Sequence, residues 1–169
     1  MNEVPPSSGS RGTGVAGPQA APPARGLSQC GGGDSIASAQ VDRFVHDRLP
    51  PPEQWPELRY DLPELQLPAQ LNAVQTLFER AFAQGHADRP LFRSDERTLT
   101  YSEARAEVNR LAHVLTHDLA LVPGNRVLLR GGNSIAMALA WLAVVQSGLI
   151  AVATMPLLRA VELQAVIAK

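Results

Sequence analysis

The sequence predicts an incomplete α/β domain built from βαβ units around a mostly parallel sheet. Three observations carry that expectation. Apolar residues recur at helical spacing in separate stretches, short Val/Leu/Ile-rich runs lie between them, and glycine or proline marks the junctions. Strand, glycine turn, helix, glycine and strand, in that order, make a βαβ unit with an expected right-handed crossover.

Each element has its own justification. Asn72 can cap a first helix in which Val74, Leu77, Phe78, Ala81 and Phe82 form a buried stripe, and Gly85 is placed to end it in a left-handed conformation. Leu91–Arg93 and Thr98–Leu99 are short strand candidates around the Asp95-Glu96-Arg97 turn. Thr100 and Glu103 match a capping box, opening a long helix with Ala104, Val108, Leu111, Ala112, Leu115 and Leu119 on one face. Pro123-Gly124-Asn125 is a turn, and Val127-Leu128-Leu129 a short buried strand. After Gly131-Gly132-Asn133 comes a helix with Ile135, Leu139, Leu142 and Val145 near one stripe, capped by Asn133. Gly148 ends it, Leu149–Ala153 reads as a second buried strand, and Pro156 separates that strand from a helix over 159–168. A sheet started in this way normally acquires further strands and helices on both faces. The expectation is therefore an unpaired apolar edge at Leu149–Ala153, self-association through it, and poor solubility of the isolated piece.

Composition narrows the function classes. The chain has 169 residues, with 15 Lys+Arg against 16 Asp+Glu. That balance offers no concentrated basic surface for nucleic acid. The lone cysteine, Cys30, cannot form an internal disulfide. Residues 1–40 hold 5 Pro, 8 Gly and 6 Ser, a composition that cannot recover ordering entropy by burial, so they read as a disordered tail without a secretory pattern. Residues 41–71 are interrupted by Pro50, Pro51, Pro52, Pro56, Pro63 and Pro68 yet carry apolar anchors at Phe44, Leu49, Trp55, Leu58, Tyr60, Leu62, Leu65 and Leu67. Prolines exclude a long helix there, and the anchors suit a strap wrapping over residues 72–169. Between Arg130 and Arg159 no residue is charged. Gln146-Ser147-Gly148 in the middle favours a buried helix followed by a strand over a membrane span, and a cytoplasmic protein is expected.

No residue pattern marks a site. Gly131-Gly132-Asn133-Ser134 follows a strand and opens a helix, where phosphate could meet free amides, but neither GxGxxG nor GxxxxGK[ST] occurs. His113 and His117 share a helix face at the spacing of a two-His metal pair. Val114 stands where a metallopeptidase pattern needs Glu, and Asp118 diverges around the helix, so the pair reads as solvated surface. His46 and His86 sit near charged residues and read likewise; Asp95-Glu96 is a turn, and Ser102 and Ser134 lack the GxSxG setting of a nucleophile. Periodicity and spacing thus assign no catalytic, cofactor-binding or metal-binding residue.

Literal strings carry further. LPPPEQWPEL (49–58), DLPEL (61–65), LN (71–72), DRP (88–90), LTYSEARAEVNRLAHVL (99–115), LVPGNRVLLRGGNS (121–134) and ATMPLLRAVEL (153–163) resemble, in the right order, the start of aryl-CoA ligases. The closest branch is that of the 2-aminobenzoate (anthranilate)- and benzoate-CoA ligases, within the adenylate-forming acyl-CoA synthetases. The resemblance runs from Val41 to Lys169 and implies part of the N-terminal subdomain of such an enzyme. It implies a two-step reaction in which ATP and an aromatic carboxylate give acyl-adenylate and pyrophosphate, and CoA then displaces AMP. Mg²⁺, ATP and CoA are implied for the full-length enzymes. The family's Ser/Thr/Gly-rich phosphate loop and catalytic lysine have no counterpart here; Lys169, the only lysine, does not match the latter. Gly132 stands where relatives usually carry Pro, Gln146-Ser147 where Lys-Ala is common, and Leu149 where Gly is frequent. The expectation is an N-terminal fragment, inactive as this isolated chain. The alternatives are an active ligase completed by further sequence, and a non-catalytic interaction or regulatory module that binds a partner protein.

Overall fold

The computed structural model describes residues 38–168 apart from Leu58, Glu64, Leu65 and Ala69. The tail up to residue 37 with Cys30, the strap anchors Leu58 and Leu65, and Lys169 lie outside the described residues.

Helix α1 spans Ala73–Ala83, with the Asn72 side chain accepting from the Gln75 N–H at 3.1 Å as its cap. Val74, Phe78 and Ala81 are buried. Leu77, expected in that stripe, is exposed: the helix buries a narrower face than five apolar residues suggest. Strands β1 (Pro90–Arg93) and β2 (Thr98–Thr100) pair antiparallel, with an irregularity between Pro90 and Phe92. Helix α2 (Tyr101–His113) opens on the expected capping box, the Glu103 N–H donating to Thr100 Oγ1 at 3.2 Å and the Thr100 N–H to Glu103 Oε2 at 2.8 Å.

The continuous helix expected to Leu119 changes character instead. Val114–Asp118 forms a π-helical turn, closed by the Leu119 N–H donating to the Val114 carbonyl at 3.0 Å. Widening the turn rotates the residues beyond it off the α-helical stripe. Leu119 is consequently exposed, as is Leu111, while Ala104 and Val108 hold the core contact. Ala120 ends the segment at φ 50°, a left-handed conformation unusual without glycine.

Strand β3 (Arg126–Arg130) and strand β4 (Ile150–Thr154) pair in parallel across helix α3 (Ile135–Gln146), the expected βαβ unit. The two ladders are separate two-stranded sheets, one antiparallel and one parallel. Burial departs from expectation: β3 alternates, with Leu128 exposed, and the residues of β4 are half-buried or exposed. Leu149, just before β4, is the buried residue of that run. The cap of α3 also differs. Ser134 rather than Asn133 holds the N-cap position, its Oγ accepting from the Met137 N–H at 3.1 Å. At the other end Gly148 takes φ +71°, and the Leu149 N–H returns to the Val144 carbonyl at 3.0 Å. Helix α4 (Ala160–Ile167) buries no residue.

The core lies where α1, α2 and α3 meet, with Phe78, Val74, Leu99, Ala104, Val108, Leu139 and Ala143 in one cluster against Leu91 and Phe92 of β1. Breaking the α2 cap tests how much that helix relies on its first turn. Thr100→Ala should cost about 1 kcal/mol in urea denaturation. Glu103 adds a pH signature: the Thr100 backbone N–H, then the Thr100 hydroxyl, hold its carboxyl below the usual glutamate range. A lowered folded value gives stability that is fully present above the unfolded value and lost as the pH falls through the folded one. The gap in urea midpoint between the wild-type chain and Glu103→Gln should therefore close as the solution is acidified below the ordinary glutamate range.

Candidate functional site

Three places combine polar side chains from distant parts of the chain. The first joins the strap to the domain. The Val41 and Asp42 N–H groups both donate to the Pro123 carbonyl, at 2.8 and 2.9 Å. The Asp42 carboxylate accepts from the Phe44 N–H and from the Asn125 side-chain amide, each at 2.9 Å. The Phe44 N–H, the Asn125 amide and then the Arg126 charge hold that carboxyl below its usual range, against the opposing effect of desolvation. The Phe44 ring lies between the guanidinium groups of Arg48 and Arg126, each 3.6 Å from its centroid. The strap grips the domain through this clasp. Further along, Leu49, Trp55 and Leu62, expected as anchors, are exposed, and the Trp55 indole N–H turns back to the Pro50 carbonyl at 2.7 Å.

The second place is the Gly131–Ser134 turn at the start of α3. Its polar groups serve the fold. Ser134 caps the helix, and the neighbouring Arg130 guanidinium donates to the Pro156 and Leu158 carbonyls at 2.6 and 3.1 Å. The turn between β4 and α4 is fixed by that arginine, which is thereby committed away from any phosphate at the turn.

The third is an open cleft of about 340 Å³ where the end of α2 and the π-helical turn meet the end of α3. Asn109, His113, Thr116, His117, Gln146 and Ser147 line it. The Gln146 amide donates to Asn109 Oδ1 at 2.7 Å, and the Gln146 carbonyl accepts from the Asn72 side chain at 2.8 Å. Asn72 thus caps α1 with its oxygen and ties α1 to α3 with its nitrogen. His113 and His117 stack with ring centroids 4.0 Å apart and planes inclined by 18°.

The remaining sequence candidates are dispersed. His46 contacts the Arg43 guanidinium at 3.0 Å and lies 3.5 Å from Asp47. His86 is half-buried at the end of α1, and Ser102 is exposed in the first turn of α2. Asp95 and Glu96 lie in an exposed turn closed by Ser94, whose Oγ accepts from the Glu96 and Arg97 N–H groups at 3.3 and 3.2 Å. Among the described residues no group of three or more His, Cys, Asp or Glu could hold a metal ion. No helix among them is long and apolar enough to cross a membrane. Sequence reading missed the Asp42–Asn125 clasp and the Asn72–Gln146–Asn109 bridge. Each joins residues too far apart in the chain for spacing to signal.

The fold has well-defined likenesses. The solved anthranilate CoA ligase AuaEII, in complex with anthranoyl-AMP, superposes with a TM-score of 0.55 at 26% identity, over 60% of this chain and 19% of that one. The N-terminal subdomain of Klebsiella oxytoca NpsA, in complex with anthranilyl-AMSN, gives 0.52 at 26% identity, over 59% and 25%. A benzoate CoA ligase from Burkholderia xenovorans LB400 shares the fold, with a TM-score of 0.54 at 22% identity over 59% and 20%. In sequence, the acetyl-coenzyme A synthetases of Mycobacterium bovis and Mycobacterium tuberculosis are each 42% identical over 64 residues, 34% of this chain and 10% of theirs. The chain thus spans about a tenth of the curated relatives it matches and about a fifth of the solved ligases. A family model described as AMP-binding enzyme matches residues 78–169, from the middle of α1 onward and so including the whole β3–α3–β4 unit. With more than half its length under that model, and an α/β fold like that of the N-terminal part of adenylate-forming enzymes, this chain belongs to the AMP-binding enzyme family.

Proposed function

We propose that residues 41–169 are the scaffold of the N-terminal subdomain of an aryl-CoA ligase. The enzyme they serve activates 2-aminobenzoate or benzoate in the cytoplasm. ATP and the carboxylate form an acyl-adenylate with loss of pyrophosphate; the CoA thiol then attacks the activated carbonyl, giving the thioester and AMP. Mg²⁺, when bound, neutralises charge on the phosphates in the first step. The observation that carries the aromatic substrate class is the superposition on the anthranilate CoA ligase at 26% identity over 60% of this chain, against the 34% matched by acetyl-coenzyme A synthetase.

None of the described residues is catalytic in this reading. Thr100, Glu103 and Ser134 cap helices, Arg130 fixes a turn, and Asn72 and Gln146 join helices. Each of these polar groups already has an intramolecular partner, which is what a framework requires and a transition-state site does not. Charge developing on phosphate and carboxylate oxygens must then be met by residues outside this set.

Pyrophosphate exchange into ATP tests both halves. The isolated 169-residue chain should give no exchange above background with any acid. The native polypeptide that carries these residues should exchange with 2-aminobenzoate or benzoate in clear preference to acetate. Turnover by the isolated chain would overturn the scaffold assignment, and a preference for acetate would overturn the aromatic one. The second reading, a module that docks a partner protein or a second copy, draws support from the exposed apolar residues Met155, Leu157, Val161 and Ile167 around α4.

A further inference from the structure

We infer that strand β4 pairs edge to edge with the β4 of a second copy of this chain, antiparallel and centred on Val152, closing a two-fold dimer around one continuous sheet. The inference stands apart from the ligase reaction. It places the second copy on β4 and not on the exposed residues around α4.

The ladder to β3 fixes which groups of β4 are left over. The Ile150 N–H donates to the Asn125 carbonyl at 2.8 Å, and the parallel register runs from Arg126↔Ile150 to Arg130↔Thr154. Backbone groups alternate from side to side along a strand. Ile150, Val152 and Thr154 therefore face β3, while Ala151 and Ala153 turn their N–H and carbonyl groups away from it. The sheet stops at these two strands, so among the described residues no strand takes up the outward groups. Helix α4, which follows, buries no residue.

A second β4 matches those groups. Antiparallel pairing centred on Val152 sets Ala151 opposite Ala153 of the other copy, and Ala153 opposite its Ala151. Each of these pairs exchanges two hydrogen bonds, so every outward N–H and carbonyl of the strand is used. The two Val152 residues meet on the axis as the close, non-hydrogen-bonded pair. Neighbouring registers draw on groups already committed. Centring on Ala151 calls on Leu149, whose N–H donates to the Val144 carbonyl at 3.0 Å. Centring on Ala153 calls on Met155, whose carbonyl accepts from the Leu158 N–H at 3.2 Å. The symmetry that satisfies the hydrogen bonds also closes the assembly.

Charge identifies the occupant. Edge strands are ordinarily blunted by charge, proline or irregularity. Strand β1 begins with Pro90 and is irregular before Phe92, β2 has only three residues, and the outward positions of β3 include Arg126 and Arg130. Strand β4, Ile-Ala-Val-Ala-Thr, carries none of these devices. No residue from Gly131 to Leu158 is charged, so two copies meet there without like-charge repulsion. A charged strand of another protein would find no counter-charge, whereas a second β4 agrees in length, polarity and hydrogen-bond pattern.

Sedimentation equilibrium on the full 169-residue chain should give twice the chain mass, dissociating on dilution. Ala151→Pro removes an outward N–H and spares the ladder to β3; Ala153→Lys sets a charge on the edge. Each should raise the dimer dissociation constant at least tenfold. Val161→Glu, at a 79% exposed position of α4, should leave it unchanged. The register has its own test in a Cys30→Ser background. Val152→Cys should form a disulfide-linked dimer under mild oxidation, because residues facing each other in a non-hydrogen-bonded pair lie within disulfide reach, and Ile150→Cys should not. A monomer at all concentrations overturns the inference, as do open-ended oligomers in place of a dimer. A dimer indifferent to both edge variants, or lost equally with Val161→Glu, overturns it too. So does Val152→Cys that fails to cross-link, or cross-links no better than Ile150→Cys, a readout that does not depend on how the edge variants fold.

Discussion

Gly124→Ala is expected to destabilise the chain by about 2–4 kcal/mol and to release the start of the strap. Gly124 sits at φ +95°, where a side chain is already strained. A β-carbon there would lie 2.1 Å from the Asp42 carbonyl oxygen, 3.0 Å from its carbon and 3.1 Å from Gln40 Cβ. The first two are backbone atoms and cannot swing aside. The chain must either break the paired hydrogen bonds from Val41 and Asp42 to Pro123 or distort the turn that joins α2 to β3. Urea denaturation measures the total, and amide exchange at Val41 and Asp42 locates it. Gly85 and Gly132 supply the scale. Gly85 has φ +72° and open space, so alanine there should cost about 1 kcal/mol, whereas Gly132, with nothing within 4 Å of an added β-carbon, should be nearly neutral. Equal effects at all three positions would mean that the clasp contributes nothing.

Phe78→Ala should cost about 3–5 kcal/mol, the range for a fully buried aromatic ring whose surroundings collapse only partly. Phe78 is 1% exposed, and it shares the cluster that joins the three helices with Val108, Leu139 and Ala143. The neighbouring Leu77 is 43% exposed, so Leu77→Ala should cost well under half as much. The two residues are adjacent, apolar and in one helix. A thermal or urea series on both separates the face the helix buries from the face its composition suggests. Similar losses at Leu77 and Phe78 would show that α1 packs in a different rotation.

Local chemistry explains which parts of this fold the sequence reveals. The Thr100–Glu103 box, the Asn72 cap and the turns at Gly85, Gly124 and Gly148 are contained within a few residues, and each forms as expected. The β3–α3–β4 unit is equally legible, because a glycine-bounded helix between two apolar runs has few other ways to pack. The misread features depend on partners far along the chain. Leu77, Leu111 and Leu119 look like core residues until the widened turn at Val114–Asp118 and the packing of three helices decide which stripe is covered. Asn133 and Ser134 are both good caps, and only the backbone conformation selects the serine. For the cleft, spacing placed His113 and His117 on one face. It could not give the stacking of their rings. The clasp was invisible for the simplest reason: Asp42 and Asn125 are 83 residues apart.

That separation has a consequence for the order of assembly. Joining two points 83 residues apart carries a loop-closure penalty that grows as the logarithm of the loop, roughly 4 kcal/mol before the constant. The hydrogen bonds of the clasp, at about 1 kcal/mol each, cannot meet that penalty while the intervening chain is a coil. They can once α1, α2 and α3 have condensed and shortened the effective loop to the span of the packed helices. The clasp therefore closes late and opens early, as a low-stability unit on a firmer helical base. Residues 38–49 then act as a latch whose engagement reports that the helices behind it are already in place.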